Sequence, residues 1–154
     1  MKRAAESVDA VVVRPRRTAI VAWVCAVLVF ALFLVVAVVL RTAETGVFFR
    51  LADQIAMAAI GALIAGGVLL LARPRVRADA VGIEVRNVLV TRRLPWDVVE
   101  RVAFPDGASW ARLELIGDDY LPVLAIQAVD GQRAVEGIRR VRALHAAAAR
   151  SRRP

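Results

Sequence analysis

Between Thr18 and Leu40 the chain runs for 23 residues without a charged side chain. At ~1.5 Å per residue this stretch makes a helix of ~35 Å, enough to cross a hydrocarbon core ~30 Å thick. A second charge-free run, Ile55–Ala72, stops at Arg73-Pro74, because proline cannot continue a helix and restricts the residue before it. Two such runs joined by a short linker predict an antiparallel helical hairpin in a membrane. A cleaved leader is the rival reading of the first run, since Lys2, Arg3, Arg14, Arg16 and Arg17 precede it. Leader cores span roughly 7–15 residues and end at a small-x-small site. This run is longer and ends at Leu40-Arg41.

The expected organisation is a basic cytoplasmic tail (1–17), a first membrane helix (18–40), an external loop (41–53), a second membrane helix (54–72), a cytoplasmic domain (73–150) and a basic tail (151–154). Orientation is set by the excess of Lys and Arg at cytoplasmic helix ends. The five basic residues before the first run, and Arg73, Arg75 and Arg77 after the second, outnumber Arg41 and Arg50 between them. Both termini are therefore expected in the cytoplasm, making this a multi-pass protein of the plasma (inner cell) membrane. In the second run Ala58, Ala62 and Gly66 recur every four residues, with Gly61 and Ala65 beside them. Small residues at this spacing let helices approach closely, against the first helix of the same chain or in a homodimer. Neither charge-free run contains a titratable acid, base or histidine, which argues against an ion or proton pathway. Cys25, the single cysteine, leaves no intramolecular disulfide and no cysteine metal site.

The composition fits this segregation: 59% hydrophobic and 23% charged residues with a mean hydropathy of +0.59. The net charge is +8 and every basic residue but Lys2 is arginine. A GC-rich genome produces the same Arg, Ala and Val excess, so the arginines need not read phosphate. In the cytoplasmic part, basic residues are interleaved with acids, which speaks against nucleic acid as partner.

Behind the second run the period changes. Arg75–Ala78, Ile83–Arg86, Val88–Leu94, Val99–Phe104, Trp110–Leu115 and Tyr120–Ile126 read as short strands, broken at Asp79–Gly82, Asn87, Pro95–Val98, Pro105–Gly107 and Gly117–Asp119. After Asp130-Gly131, a candidate N-cap, a helix is expected to about Arg150. Its apolar side carries Ala134, Ile138, Val141, Leu144 and His145. The fold class is thus a two-helix membrane hairpin followed by a small α+β domain, a bent antiparallel sheet or barrel capped by a C-terminal helix.

This order resembles the pleckstrin-homology (PH) fold. The segments Ala78–Val85, Leu94–Val99 and Ser109–Leu113 resemble the short PH domains of actinobacterial membrane proteins, including the low molecular weight protein antigen 6 type, which also place a hydrophobic hairpin before the domain. The resemblance covers roughly Arg73–Leu144 and implies a binding or scaffolding module with no catalytic residues to carry over. Lipid-binding PH domains carry a basic cluster in the loop after the first strand. The matching loop is expected at Asp79–Gly82, which has no basic residue.

No catalytic, cofactor or metal site is legible. His145 is the one histidine, so histidine-based metal sites and triads have nothing to build on. Asp118-Asp119 fit turn chemistry. Trp96 and Trp110 are expected in the core unless exposed; an exposed Trp96 beside Arg92 and Arg93 would form a recognition patch. Arg75 and Arg77 are expected near the anionic inner leaflet. The function expected is a membrane-anchored scaffold that binds a partner protein or its own copies. The alternative is anionic-lipid headgroup binding or membrane-surface sensing by this domain, through Arg75, Arg77, Arg92 and Arg93.

Overall fold

The computed structural model describes residues 10–42 and 50–152. The described residues form two compact units: those within 18–72 in one, and residues 10–17 together with 73–152 in the other.

The helical unit contains α1 (Arg16–Thr42, whose first two residues belong to the other unit) and α2 (Leu51–Leu69), the latter extended by a 3-10 turn at Leu70–Ala72. Both are long and apolar enough to cross a membrane. They extend beyond the charge-free runs, so the expected loop at 41–53 loses both of its ends to helix, and residues 43–49 lie outside the described ones. At the start of α2, Asp53 Oδ2 accepts the Arg50 backbone N–H at 2.8 Å, tying down the first turn. The two helices meet along a narrow seam. Ala22, Ala26 and Ala37 are buried on α1, and Gly61 and Ala65 on α2. A Cβ at Gly61 would stand 2.6 Å from Phe33 Cβ, so glycine is what lets that ring approach. Near the loop, Gln54 Nε2 donates to Ala37 O at 3.3 Å and Arg41 Nη1 donates to Gln54 Oε1 at 3.0 Å. Away from the seam the helices expose Ile20, Val21, Trp23, Val27, Leu28, Leu32, Leu63 and their neighbours.

Among the described residues the other unit holds two antiparallel sheets and one α-helix, and its strands do not close into a single hydrogen-bonded barrel. One sheet has the order β1 (Val11–Val13), β2 (Arg75–Ala78), β3 (Gly82–Arg86), β4 (Thr91–Pro95). The other has β5 (Val99–Ala103), β6 (Trp110–Leu115), β7 (Tyr120–Gln127). β1 corrects the reading of 1–17 as a tail. Val11, Val12 and Val13 pair with Ala78, Arg77 and Val76, so a strand that precedes both helices completes a sheet that comes after them. It also corrects the loop assignment, because Asp79–Gly82 joins the second strand to the third. The first strand leads instead into the helical hairpin.

α3 (Gln132–Ser151) covers the core with Ala134, Gly137, Ile138, Val141 and Ala148. Gly137 is the close-approach point: a Cβ there would lie 3.1 Å from a Val13 methyl. Of the expected cap Asp130-Gly131, Gly131 is the N-cap residue of α3. The Asp130 carboxylate instead accepts the Arg17 backbone N–H at 3.0 Å, while Arg17 Nη1 donates to Val129 O at 2.9 Å. The free edge of β5 is blunted by the same helix. Arg142 Nε donates to Val102 O and His145 Nε2 to Val99 O, both at 2.8 Å. A carbonyl can only accept, so this bond requires the proton on Nε2.

Candidate functional site

Side chains along a strand alternate between faces. In β2–β4 the inward set is Val76, Ala78, Ile83 and Val85, all buried. The outward set includes Arg75 and Arg77 from β2, Glu84 and Arg86 from β3, and Arg93 from β4. Register aligns Arg77, Glu84 and Arg93 across three strands, and sets Arg75 directly opposite Arg86. Glu84 bonds Arg93 Nε at 2.5 Å and Arg75 Nη2 at 3.5 Å. The hydrogen bond from Arg93, followed by the positive field of both arginines, holds the Glu84 carboxyl below the usual carboxylate range. Arg77 and Arg86 have no ion-pair partner among the described residues. A shallow groove of about 430 Å³ lies over this face, lined by Arg77, Asp79, Glu84, Arg93 and Pro95 among others.

The second sheet carries its own carboxylate between arginines. Glu114 bonds Arg101 Nε at 2.6 Å and Arg112 Nη2 at 2.8 Å, which lowers the Glu114 carboxyl and raises the Arg101 guanidinium. Arg112 stacks 5.7 Å from the Tyr120 ring centroid.

Of the residues singled out from sequence, Arg75, Arg77 and Arg93 share the outward face. Arg92 does not: it lies opposite Val85 and lines a cleft of about 450 Å³ with Val88–Val90, Leu115 and Tyr120. Adjacent arginines on a strand point to opposite sides, so Arg92-Arg93 is not one cluster. Trp96 is excluded from any recognition patch. It is 2% exposed, its indole N–H donates to Asp79 O at 2.8 Å, and its ring lies 5.4 Å from that of His145. Trp110, by contrast, is exposed. On α2, Gly61 and Ala65 are in the seam and Ala58 is half-buried, whereas Ala62 and Gly66 are exposed.

Two features escape the sequence reading. One is β1; its only signal is a Val-Val-Val run ended by Arg14-Pro15. The other is the second role of Asn87, which the sequence marks only as a turn. Its amide donates to Pro122 O at 2.8 Å and accepts the Leu124 N–H at 3.2 Å, pinning the β3–β4 turn to β7. Among the described residues no three His, Cys, Asp or Glu side chains gather as metal ligands.

Residues 73–144 match the family described as Bacterial PH domain. Three relatives, one from Mycobacterium bovis and two from strains of Mycobacterium tuberculosis, are each 46% identical over 134 residues, covering 87% of this chain and 87% of theirs. All three carry the name uncharacterized protein. No solved structure matches.

Proposed function

Because the chain belongs to the bacterial PH domain family, together with these mycobacterial relatives, we propose that it is a membrane-anchored scaffold that recruits a partner protein, or further copies of itself, to the inner face of the plasma membrane. PH domains are non-catalytic binding modules, and the chain is not an enzyme.

The observation that carries the proposal is the outward face of β2–β4, where four arginines surround one glutamate. Like charges directly opposite on neighbouring strands destabilise a sheet, yet Arg75 faces Arg86. An acidic surface on a partner would complement that excess. Crosslinking of the tagged full-length protein in intact membranes tests this. The double variant Arg77→Glu, Arg86→Glu is expected to lose the captured partner. Arg86→Glu alone is expected to raise thermal stability by about 0.2–1 kcal/mol, because an attractive cross-strand pair replaces a repulsive one. Stability and binding should thus move in opposite directions. If the double variant captures the same proteins as the wild type, the proposal fails.

The two helices are read as spanning the membrane, with both chain ends in the cytoplasm. Support comes from β1 and β2, which are hydrogen-bonded neighbours although the whole hairpin separates them in sequence. Strands on opposite sides of a bilayer could not pair. The arginine excess flanking the helices supports the cytoplasmic side. Alkaline phosphatase fused after Pro154 is expected to be inactive in cells; high activity would refute this orientation.

A further inference from the structure

A strand at the end of a sheet keeps a row of backbone donors and acceptors unpaired unless something covers them. The β unit has four end strands, and three of them are met by other parts of the chain. Arg142 and His145 of α3 bond the edge of β5, Asn87 holds β7 through the Pro122 carbonyl and the Leu124 N–H, and β1 sets Val13 against Gly137. β4 has no such cover among the described residues, and its Thr91, Arg92, Arg93 and Pro95 are exposed.

Hydrogen bonds at the two ends of the β3–β4 ladder fix which groups are free. The Asn87 N–H donates to Val90 O at 2.8 Å and the Trp96 N–H to Val81 O at 3.4 Å, so both couples are hydrogen-bonded pairs. Bonded and non-bonded pairs alternate along an antiparallel ladder. In the register of β3 and β4 the bonded pairs between them are therefore Val85 with Arg92 and Ile83 with Leu94. Arg92 and Leu94 direct their backbone groups at β3, while the N–H and C=O of Thr91 and Arg93 point to the open edge. Pro95 ends that edge: it has no N–H, and its carbonyl accepts the Val98 N–H at 3.4 Å.

The side chains select what can pair there. Across the outward face Arg77, Glu84 and Arg93 form one row, which alternates in charge and ends positive at the open edge. An acidic residue on an added strand continues the alternation. Arg92 projects from the other face, so two consecutive acidic residues would meet one arginine each. A second copy of β4, laid antiparallel and centred on either arginine, would bring arginines together, which destabilises a strand pair.

We propose that β4 takes an extended acidic segment of a partner protein as an additional strand, joined through the N–H and C=O groups of Thr91 and Arg93. This rests on the reading of the outward β2–β4 face as a surface for an acidic protein, and it names the form in which that protein binds. Backbone hydrogen bonds hold the segment, and Arg92 and Arg93 select its charge.

The test uses full-length, isotope-labelled protein in phosphocholine micelles, with the capped peptide Thr-Val-Glu-Glu-Val-Thr as probe. At saturation, magnetic resonance should show the Thr91 and Arg93 amide protons exchanging with water at least about fivefold more slowly. Those of Arg92 and Leu94, already bonded to β3, should change little. N-methylating alternate peptide residues removes the donors along one side only. One alternate set should weaken binding by about tenfold, and the other should leave it near its original value. Equal losses from both sets would overturn strand addition. Shifts at Arg77 and Arg86 without protection at Thr91 and Arg93 would also overturn it, while leaving the acidic-partner reading standing. So would absence of binding by the peptide while Arg77→Glu, Arg86→Glu still loses the partner captured in membranes. Equal binding by Thr-Val-Lys-Lys-Val-Thr would bring down the charge selection and the acidic-partner reading together. Thr91 and Arg93 amides protected in the free protein, increasingly with its concentration, would put a second copy in place of the partner and overturn the proposal.

Discussion

Replacing Trp96 with alanine is expected to unfold the β unit rather than to weaken a binding site. Trp96 is the largest fully buried side chain of a core that also holds Val76, Val85, Leu113, Val123, Ile126 and Val141. Truncating a buried tryptophan costs about 3–5 kcal/mol, against a total stability of roughly 5–15 kcal/mol for a domain. Its indole also holds the Asp79 carbonyl in the β2–β3 turn, where the Asp79 carboxylate accepts the Val81 and Gly82 N–H groups at 2.9 and 3.0 Å. Losing the ring therefore leaves a cavity and loosens a turn. Trp96→Phe should fall between wild type and Trp96→Ala, because most of the ring volume remains while the Asp79 carbonyl loses its donor. Denaturant unfolding followed by near-ultraviolet circular dichroism measures both. An unchanged midpoint for Trp96→Ala would show that the ring does not hold the core.

A fragment beginning at Arg73 is expected not to form a stable monomer, although the family match itself begins there. Such a fragment lacks β1, which covers the edge of β2 and sets Val13 against Gly137 of α3. Burying a valine is worth about 1.5–3 kcal/mol, and Val11 and Val13 are both partly buried against the core. Their removal also leaves β2 as an unprotected edge, a template for pairing with other chains. Residues 73–154 alone should therefore aggregate or show a broad, low-temperature transition. Joining residues 10–15 to Arg73 by a short flexible linker should restore a cooperative one. Size-exclusion chromatography and thermal melts of the two fragments decide the matter. A monomeric, cooperatively folding 73–154 would show β1 to be dispensable.

The parts of the fold legible in the sequence are those whose period shows within one segment. Trp110–Leu115 alternates cleanly and is β6; the spacing of Ala134, Ile138 and Val141 marks the buried side of α3; Pro95–Val98 announces the corner before β5. β1 is hidden because three valines cannot display a period, and the partner that makes them a strand lies beyond both helices. The surface is legible in composition but not in arrangement. Arg92-Arg93 suggests a cluster only if adjacency in sequence is taken for adjacency in space, whereas a strand divides neighbours between its two faces.

The position of β1 also bears on how the protein is made. A strand synthesised before both helices must wait for one synthesised after them, so the β unit cannot close until the hairpin is finished. Under the proposed crossing of the membrane by α1 and α2, insertion of only one helix would strand β1 and β2 on opposite sides of the lipid, leaving an open edge and an uncovered core. Cells clear exposed surfaces of that kind by proteolysis. On that proposal an error of insertion becomes an error of folding, and closure of the β unit depends on both helices having inserted.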